Sequence, residues 1–519
     1  MHREPYVHIG LMQAAPEVMV NLHGPWECSA GSGFGTHRIT DVYLKFHQLS
    51  GIPALERYTV KLAEFLSTES IGRWLPTVKK VGVEGNVSVM DAGKLWSIYG
   101  KTWDARTRWV VAGEYNSTDE ADEACREWGK VLDTIAGVDR DLFWPQVESA
   151  GLSTGEEPTG AVEVRIGDEL CRGSVFRLEP LGKKSYFSIF NITVGKEFHW
   201  EHSKTLRYAG NLMLLGDRYG GITVVNELPI ETYLESVASS EASSGAPDEY
   251  LKAQAVAARS TMLATVSRHH RIDPFDLCAE DHCQCYYGMD QVDKRISRVV
   301  KSTSGLVRII DRRPADCRYA KICGGKTENY PSVWGGESVP YLVSRSCGGG
   351  RTKETSSVEE LLELTYSSLC NPRLHKYPTT LEHTRNLFRW QEERKASDIE
   401  SRVDEVLQTS IGRVRELRPL TRGASGRITR LQLVGSEREI TVRGELMIRR
   451  LLSDSHLPSS MFIVQPEGKG PDHFLLRGGG WGHGVGMCQL GGMSLAKAGS
   501  SFDRILDAYY PGTITEKLW

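Results

Sequence analysis

The fold is decided by residues 224–263, VVNELPIETYLESVASSEASSGAPDEYLKAQAVAARSTML, and by the polar segment DLCAEDHCQC at 276–285. The first half of 224–263 predicts an amphipathic helix, because apolar residues recur at helical spacing and Pro229 suits an early helical position. The residues of this apolar stripe are Ile230, Tyr233, Leu234, Val237 and Ala238. A second helix is predicted to begin near Pro247 and Asp248, after the small, flexible run SSGAP.

Glu241 continues the apolar stripe of the first helix and directly precedes the bend. A carboxylate in this position is poorly placed for a surface salt bridge and well placed for the floor of a cleft. Desolvation there would raise its pKa, as a general acid requires. The alternative is a capping or merely buried glutamate at a helix end. The second helix has a face of small residues that lets another element approach its backbone closely, formed by Ala253, Ala255, Ala257 and Ala258.

A second group of chemically active side chains follows the hairpin. Four residues separate Cys278 from Cys283, the last of them His282, and His269 and His270 lie upstream. Thiolates and imidazoles in this number suffice for a tetrahedral zinc site. Four protein ligands would make the zinc structural, whereas an open position would indicate metal-assisted hydrolysis. A chain without bound metal is the remaining alternative.

Two glycine-rich loops could form the walls of a cleft. In GWGHGVGMCQLGG, His483 stands among glycines, and Trp481 offers a flat surface to a sugar ring. His483 could assist Glu241 or merely hydrogen-bond a strained loop. The loop KICGGKTENYPSVWGG supplies the candidate substrate-binding residues Gly324, Gly325, Lys326 and Thr327. Tyr341 is a candidate for orienting substrate, with a buried structural tyrosine as the alternative.

Composition excludes some classes of function. The 63 Lys and Arg nearly balance the 66 Asp and Glu among 519 residues, so nothing favours nucleic-acid binding. No apolar run is long enough for a transmembrane segment, and MHREPYVHIGLMQAAPEV lacks the apolar core of a signal peptide. Of the 11 cysteines, several are expected to be isolated buried thiols, namely Cys28, Cys125, Cys171, Cys347 and Cys370. Such scattered thiols favour a reducing compartment.

The expected fold class is α+β, with the helical hairpin packed on mostly antiparallel sheet. We expect a mixed, β-rich N-terminal region at 1–157 and a main domain at 158–519 that carries a helical insertion at about 355–410. Residues 58–75 show helical periodicity. Within the N-terminal region, residues of about 103–137 weakly resemble the sporulation-related repeat that binds peptide-stripped glycan strands, and an ordinary strand and helix are the alternative.

Four ordered blocks carry a stronger resemblance. They are the hairpin sequence itself, CAEDHCQCYYG, CGGKTENYPSVWGG with the PYL that follows it, and GWGHGVGMCQLGGMSLAKAG with ILDAYYPGT. Together they resemble the stage II sporulation protein D and amidase-enhancer family over roughly 198–519. Family members usually carry serine at the position of Cys323, which leaves the role of that loop open.

The resemblance implies a peptidoglycan lytic transglycosylase whose single acid matches Glu241, acting between N-acetylmuramic acid and N-acetylglucosamine. It also implies a zinc held by paired cysteines and histidines. For this zinc we expect His270, Cys278, His282 and Cys283, with His269 and Cys285 as competing ligands. A different class of function is a non-catalytic glycan-binding activator of a cell-wall amidase. The resemblance implies a location in the cell envelope, although no signal peptide is visible and a cytoplasmic location stays open.

Overall fold

The computed structural model describes most of the chain, and every structural statement below concerns this part. The described residues are 4–30, 36–49, 55–80, 87–132, 134–143, 161–195, 201–217, 219–348, 357–363, 368–373, 384–454, 456–465 and 472–519. The α+β fold predicted from the sequence is confirmed, since helices pack on several mostly antiparallel sheets. No helix in these ranges is long and apolar enough to cross a membrane.

The predicted helical hairpin lies at the centre of the main core. Its first helix, Ile230–Glu241, ends at the candidate acid, and we call it the acid helix. Its second helix, Asp248–Thr265, is buried at every position from Ala253 onward, and we call it the buried helix. Small alanine side chains permit this close packing on all sides.

A buried ion pair joins the two helices of the hairpin. The Arg259 guanidinium donates to both carboxylate oxygens of Glu231, at 3.1 and 2.6 Å. The same carboxylate accepts hydrogen bonds from the Gly305 backbone N–H and the Trp519 indole, both at 3.0 Å. The beginning of the acid helix is therefore tied to the buried helix and to the last residue of the chain.

Two large sheets support the hairpin. The first has seven strands in the order Leu277–Cys278, Tyr6–Ala15, Ile222–Pro229, Asn211–Gly216, Val175–Pro180, Pro25–Ala30 and His37–Thr40. The second has six strands in the order Glu169–Gly173, Val162–Ile166, Tyr43–Gln48, Glu17–His23, Tyr186–Val194 and His202–Tyr208. Strand Ile222–Pro229 runs straight into the acid helix, so the first sheet fixes where that helix begins.

These sheets bear on the expected division of the chain. Strands from the first 48 residues pair with strands from beyond residue 160 in both sheets, so the two regions share one core. The expected boundary at 157/158 itself lies outside the described residues. Between the two regions in sequence lies a separate βαββαβ unit. Its strands are Leu55–Phe65, Val87–Ala92, Thr107–Tyr115 and Gly137–Phe143. One helix, Thr68–Lys80, follows the first strand, and the other, Thr118–Val131, follows the third.

The βαββαβ unit corrects one expectation. Residues 58–75 were expected to be helical, but Leu55–Phe65 is a strand, and the helix covers Thr68–Lys80. The strand pairs on both sides, with Gly137–Phe143 and with Thr107–Tyr115, which explains why it is extended. The sheet order, with the fourth strand of the unit beside the first, then the third, then the second, is that of a ferredoxin-like unit.

The C-terminal half completes the molecule with smaller sheets and helices. One three-stranded sheet has the order Arg313–Pro314, Leu306–Ile310 and Ile514–Lys517, and a two-stranded sheet pairs Tyr319–Ala320 with Met487–Cys488. Two further three-stranded sheets have the orders Trp390–Lys395, His473–Gly478 and Phe462–Gln465, and Val414–Arg422, Ile428–Gly435 and Glu439–Arg443. A further hairpin pairs Leu95–Ile98 with Lys101–Asp104. The remaining helices are Lys294–Ser302, Tyr330–Trp334, Val358–Glu363, Ala396–Leu407, Glu445–Leu451, Gln489–Lys497 and Phe502–Tyr509.

The region of the expected helical insertion, about 355–410, is described only in part. It contains the helices Val358–Glu363 and Ala396–Leu407, and also the strand Trp390–Lys395, which pairs with His473–Gly478. Ala396–Leu407 packs in a second, separate core with the sheet of Val414–Arg422.

Candidate functional site: a cavity around Glu241

A cavity of about 360 Å³ opens at the end of the acid helix. It brings together Glu241, Trp481 and His483, three of the candidate site residues, although 240 residues separate the first from the others. The full lining is Glu241, Thr261, Asp281, His282, Cys283, Gln284, Arg318, Tyr319, Ala320, Lys321, Trp481, Gly482, His483 and Gln489. Half of the candidate zinc quartet, His282 and Cys283, therefore lies in the same wall.

The Glu241 carboxyl group is surrounded by protein and retains partial exposure to the cavity. Burial raises its pKa above the usual value for glutamate, and Asp281 raises it further. Two groups oppose this rise: the positive charge of Lys321, and the Gln489 side chain, whose Nε2–H donates to Oε2 at 3.3 Å. Burial is the largest of these effects, so the net shift of the Glu241 pKa is upward, toward the protonated form.

Lys321 is held close to the acid by the backbone. Its Nζ donates to the carbonyl oxygen of Glu241 at 3.1 Å. Burial lowers the pKa of Lys321, and the neighbouring Glu241 raises it. Lys326 was the lysine predicted from the sequence to bind substrate on this loop, but the cavity is lined by Lys321 and not by Lys326.

His483 is held as a neutral ring. Burial lowers its pKa to about 3, and the positive charge of Arg318 adds to this effect. Its Nδ1 accepts a hydrogen bond from the Val485 backbone N–H at 3.0 Å, which leaves the proton of the neutral ring on Nε2. The ring also packs on Trp334, with centroids 4.9 Å apart. A hydrogen bond with the Tyr319 backbone engages the other side of the ring and partly offsets the lowering. His483 is therefore a fixed, neutral part of the cavity wall and not an acid of ordinary strength.

A buried arginine fixes the His483 loop. Arg427 donates to the Gly482 carbonyl at 3.0 Å and to the Cys323 carbonyl at 3.2 Å, so it joins the two glycine-rich loops. Gly484 has a φ of +77°, and a Cβ there would lie 2.5 Å from the Arg427 guanidinium carbon. Only glycine satisfies both conditions, which explains why the loop carries it.

Several sequence candidates lie outside this cavity. Gly324, Gly325, Lys326 and Thr327 do not line it in the described structure. The Thr327 side chain is buried, and its Oγ1 accepts from the Arg345 backbone N–H at 2.8 Å. Thr327 therefore has a structural bond where the sequence suggested a substrate contact.

Tyr341 also lies elsewhere. It is 3% exposed and lines a different cavity, of about 330 Å³. Its hydroxyl oxygen accepts a hydrogen bond from the Asp316 backbone N–H at 2.9 Å. Burial raises its pKa. These contacts match the alternative given for Tyr341, a buried structural tyrosine.

The candidate zinc ligands His270, Cys278, His282 and Cys283 come together beside the cavity. One ligand atom from each lies within 4.8 Å of all the others. The His282 Nδ1 is 3.9 Å from the sulfurs of both Cys278 and Cys283. The competing residues His269 and Cys285 do not belong to this group.

The chemistry of these four side chains fits a metal ion. His270 uses Nδ1 to bond Asp273 at 2.9 Å, while its buried Nε2 has no hydrogen-bond partner in the described structure. A carboxylate that orients an imidazole in this way is typical of metal ligands. The hydrogen bond from Cys283 is the largest influence on Cys278 and lowers its pKa, which favours the thiolate, the form that binds zinc.

The loop of these ligands is bonded directly to the acid helix. Ser240, the neighbour of Glu241, donates through Oγ to the Cys285 carbonyl at 2.9 Å. Gln284 accepts from the Tyr233 hydroxyl at 3.1 Å and donates to the Ala258 carbonyl at 3.2 Å, which places it between the two helices of the hairpin. Ordering of this loop therefore positions the end of the acid helix.

Some residues around the acid were not among the site residues predicted from the sequence. Lys321, Gln489 and Asp281 surround the acid, but their spacing in sequence gives no signal of it. Cys347 and Cys370, expected to be isolated thiols, instead meet Cys323 and Cys488 in a buried group of four.

Comparisons with known proteins agree with this geometry. Residues 218–309, which include the hairpin and the candidate zinc ligands, match the family described as stage II sporulation protein. Residues 328–486 match a family described as a domain of unknown function, DUF8618.

Three curated relatives cover much of the chain. An uncharacterized protein of Brachyspira hyodysenteriae is 28% identical over 307 residues, which are 59% of this chain and 72% of that protein. The stage II sporulation protein D of Bacillus subtilis is 25% identical and covers 56% of this chain and 75% of its own. The amidase enhancer of Bacillus subtilis is 27% identical and covers 51% of this chain and 37% of its own.

Proposed function

We propose that this chain, which is similar to the stage II sporulation protein family over residues 218–309, is a lytic transglycosylase that cleaves peptidoglycan glycan strands. The bond cleaved joins N-acetylmuramic acid to N-acetylglucosamine. The observation that carries the proposal is Glu241, a carboxyl group whose pKa is raised by burial and which faces a cavity of about 360 Å³. A protonated acid at rest is what the first step of this reaction requires.

The reaction needs only one carboxyl group. Glu241 donates its proton to the glycosidic oxygen as the bond from that oxygen to C1 of N-acetylmuramic acid breaks, and N-acetylglucosamine leaves with a free 4-hydroxyl. The Glu241 carboxylate then takes the proton of the 6-hydroxyl of the same muramic acid residue, whose oxygen attacks C1. The product is a 1,6-anhydro sugar, Glu241 is protonated again, and no water is consumed.

The neighbours of Glu241 suit both halves of this cycle. Lys321 and Gln489 stabilise the carboxylate that exists between the two proton transfers, because both favour the ionised form. Gln489 bonds Oε2, which leaves Oε1 to carry the proton. Trp481 offers its ring face to the sugar, and the neutral His483 ring forms part of the same cavity wall.

The zinc is assigned a structural role. His270, Cys278, His282 and Cys283 would hold it, and four protein ligands leave no open position for substrate. A bound zinc ion would cross-link the loop that Ser240 and Gln284 tie to the hairpin.

The substrate places the protein at the cell envelope, and a cell-wall amidase is a candidate partner. The βαββαβ unit that contains residues 103–137 is a candidate glycan-binding module for peptide-stripped strands. Its role would be affinity, because the catalytic groups lie in the cavity around Glu241.

The test is digestion of peptide-stripped glycan strands followed by mass spectrometry of the ends. The wild-type protein is expected to produce 1,6-anhydro-muramic ends, and Glu241→Gln is expected to lose at least about 10²-fold in rate, the usual contribution of a general acid. Glu235→Gln is the matched control, since Glu235 lies on the same helix but outside the cavity lining. Absence of anhydro ends from the wild type would refute the enzyme.

One relative favours a second candidate function, because it is named an amidase enhancer. In that case the protein would bind glycan strands and stimulate a separate amidase without cleaving them. Stimulation of a purified amidase that is equal for the wild type and Glu241→Gln would support this function. Reducing ends in place of anhydro ends would instead indicate hydrolysis, catalysed either by zinc or by Asp281 acting as a second carboxylate. Loss of the reducing ends on addition of a chelator would identify zinc as the catalyst.

A further inference from the structure

Four buried cysteines converge on one point away from the candidate zinc quartet beside the cavity. Cys323, Cys347, Cys370 and Cys488 are each at most 2% exposed, and their four sulfurs all lie within 4.8 Å of one another. Single buried cysteines are common as small apolar residues. Four from distant segments meeting in one place are not explained in that way.

From this geometry we propose that the four cysteines bind a second zinc ion, as a tetrathiolate site. Zinc–sulfur bonds of about 2.3 Å in a tetrahedron place the sulfurs about 3.8 Å apart. The sulfurs of Cys323 and Cys370 are 3.7 Å apart, which matches that spacing. An iron–sulfur cluster binds each thiolate to a larger core and needs wider spacing, so a mononuclear ion fits best.

The surroundings of the sulfurs suit metal-bound thiolates. The Cys323 backbone N–H donates to the Cys488 sulfur at 3.3 Å. The hydroxyls of Tyr509 and Ser368 lie 3.5 Å from the Cys347 sulfur and 3.2 Å from the Cys370 sulfur. Hydrogen bonds from donors of this kind hold thiolate ligands in place.

A fixed positive charge accompanies the site. The Arg389 guanidinium interacts electrostatically with Cys370 and Cys323. It is anchored by backbone carbonyls, including Gly324 at 2.9 Å and Leu361 at 2.6 Å. Zinc with four thiolates carries a net charge of −2, and a buried charge of this kind needs a nearby cation.

A helix approaches the site through glycine. A Cβ at Gly491, in the helix Gln489–Lys497, would lie 2.6 Å from the Cys347 sulfur and 2.2 Å from the Tyr509 hydroxyl. The backbone of this helix can therefore come close only because residue 491 has no side chain.

The site would clamp the two walls of the cavity together. Cys488 directly precedes Gln489, whose side chain donates to the Glu241 carboxylate. Cys323 lies two residues after Lys321, whose Nζ donates to the Glu241 backbone carbonyl. Zinc bound to both cysteines would fix the spacing of Gln489 and Lys321 around the acid. The role is structural, since the four sulfurs fill the coordination sphere.

Metal analysis of the full-length protein tests the site. Wild type purified with zinc is expected to hold two zinc ions per chain, and both Cys347→Ser/Cys370→Ser and His270→Ala are expected to hold one. Cys317→Ala is the control, because Cys317 is fully buried but outside both groups, and it should hold two. Equal zinc content in wild type and the Cys347→Ser/Cys370→Ser protein would overturn the proposal.

A second measurement does not depend on folding of the cysteine variants. Cobalt(II) replaces zinc in His270→Ala, where only the tetrathiolate site remains, and its absorption spectrum should be that of four thiolate ligands. A spectrum of mixed nitrogen and sulfur ligands would refute the assignment. Iron in place of zinc in the purified protein would also refute it. So would an intact mass lower by four hydrogen atoms, which would indicate two disulfides.

Discussion

Replacing Lys321 by methionine should move the pH dependence of the proposed glycan cleavage to higher pH. In the wild type the charge of Lys321 lowers the pKa of Glu241 against the larger effect of burial. Its Nζ is held at the helix end by the Glu241 backbone carbonyl, 3.1 Å away, and its charge is the largest of the effects that lower the pKa of the Glu241 side chain. Loss of an opposite charge at about 4–6 Å shifts a pKa by about 1–3 units, and we expect the low end of this range because Gln489 still favours the carboxylate.

The sign follows from the protonation state that works. Glu241 must carry a proton to act as an acid, so the rate falls as the pH rises through its pKa. Without Lys321 the carboxylate is less stable and the pKa is higher, so the alkaline limb should move up by about one unit, or about 1.4 kcal/mol. The position of this limb does not depend on any loss of substrate affinity.

The assay is kcat/KM for release of 1,6-anhydro ends from peptide-stripped glycan as a function of pH. Lys321→Arg keeps the charge and should leave the limb near its wild-type position. A limb that stays in place in Lys321→Met, or moves to lower pH, would refute the assignment of the limb to Glu241.

Three further predictions concern the surroundings of the acid. Gly484→Ala should lower the free energy of unfolding by about 1–3 kcal/mol in denaturant titrations, whereas Gly499→Ala, also at positive φ but with open space around it, should cost less. Arg259→Met should lower the free energy of unfolding by about 3–5 kcal/mol, because it leaves the buried Glu231 carboxylate without its cation. Adding Glu231→Gln should recover part of this loss. His483→Gln should reduce the rate without moving either pH limb between pH 5 and 8, because burial holds the pKa of His483 near 3; a limb that disappears would contradict this.

The parts of the fold that sequence predicts well are those fixed by local pattern. The acid helix ends at Glu241 and the buried helix begins after Pro247, as the apolar spacing and the prolines indicate. The apolar pattern of residues 58–65 predicted a helix, but these residues form a strand. Their apolar residues fit both a helix and a strand, and pairing with two distant strands decided the outcome.

Candidate ligands that lie close together in sequence could be predicted from the sequence. Side chains that come together only in the folded chain could not. The spacing of Cys278, His282 and Cys283 is visible in the sequence, and these residues do converge. The choice between Lys321 and Lys326 is not visible there. In the folded chain a bridge pairs Ile322 with Trp481, and both Lys321 and Trp481 line the cavity.

Glu241 occupies the last position of the acid helix, and the direction of that helix has a consequence for its acidity. Aligned peptide dipoles give the C-terminal end of a helix a partial negative charge, which disfavours a nearby carboxylate by about 0.3–1 kcal/mol. Lys321 binds the carbonyl at this same end and offsets that charge. The acid strength therefore depends partly on the main chain at this helix end, a contribution that no side-chain substitution in the cavity removes.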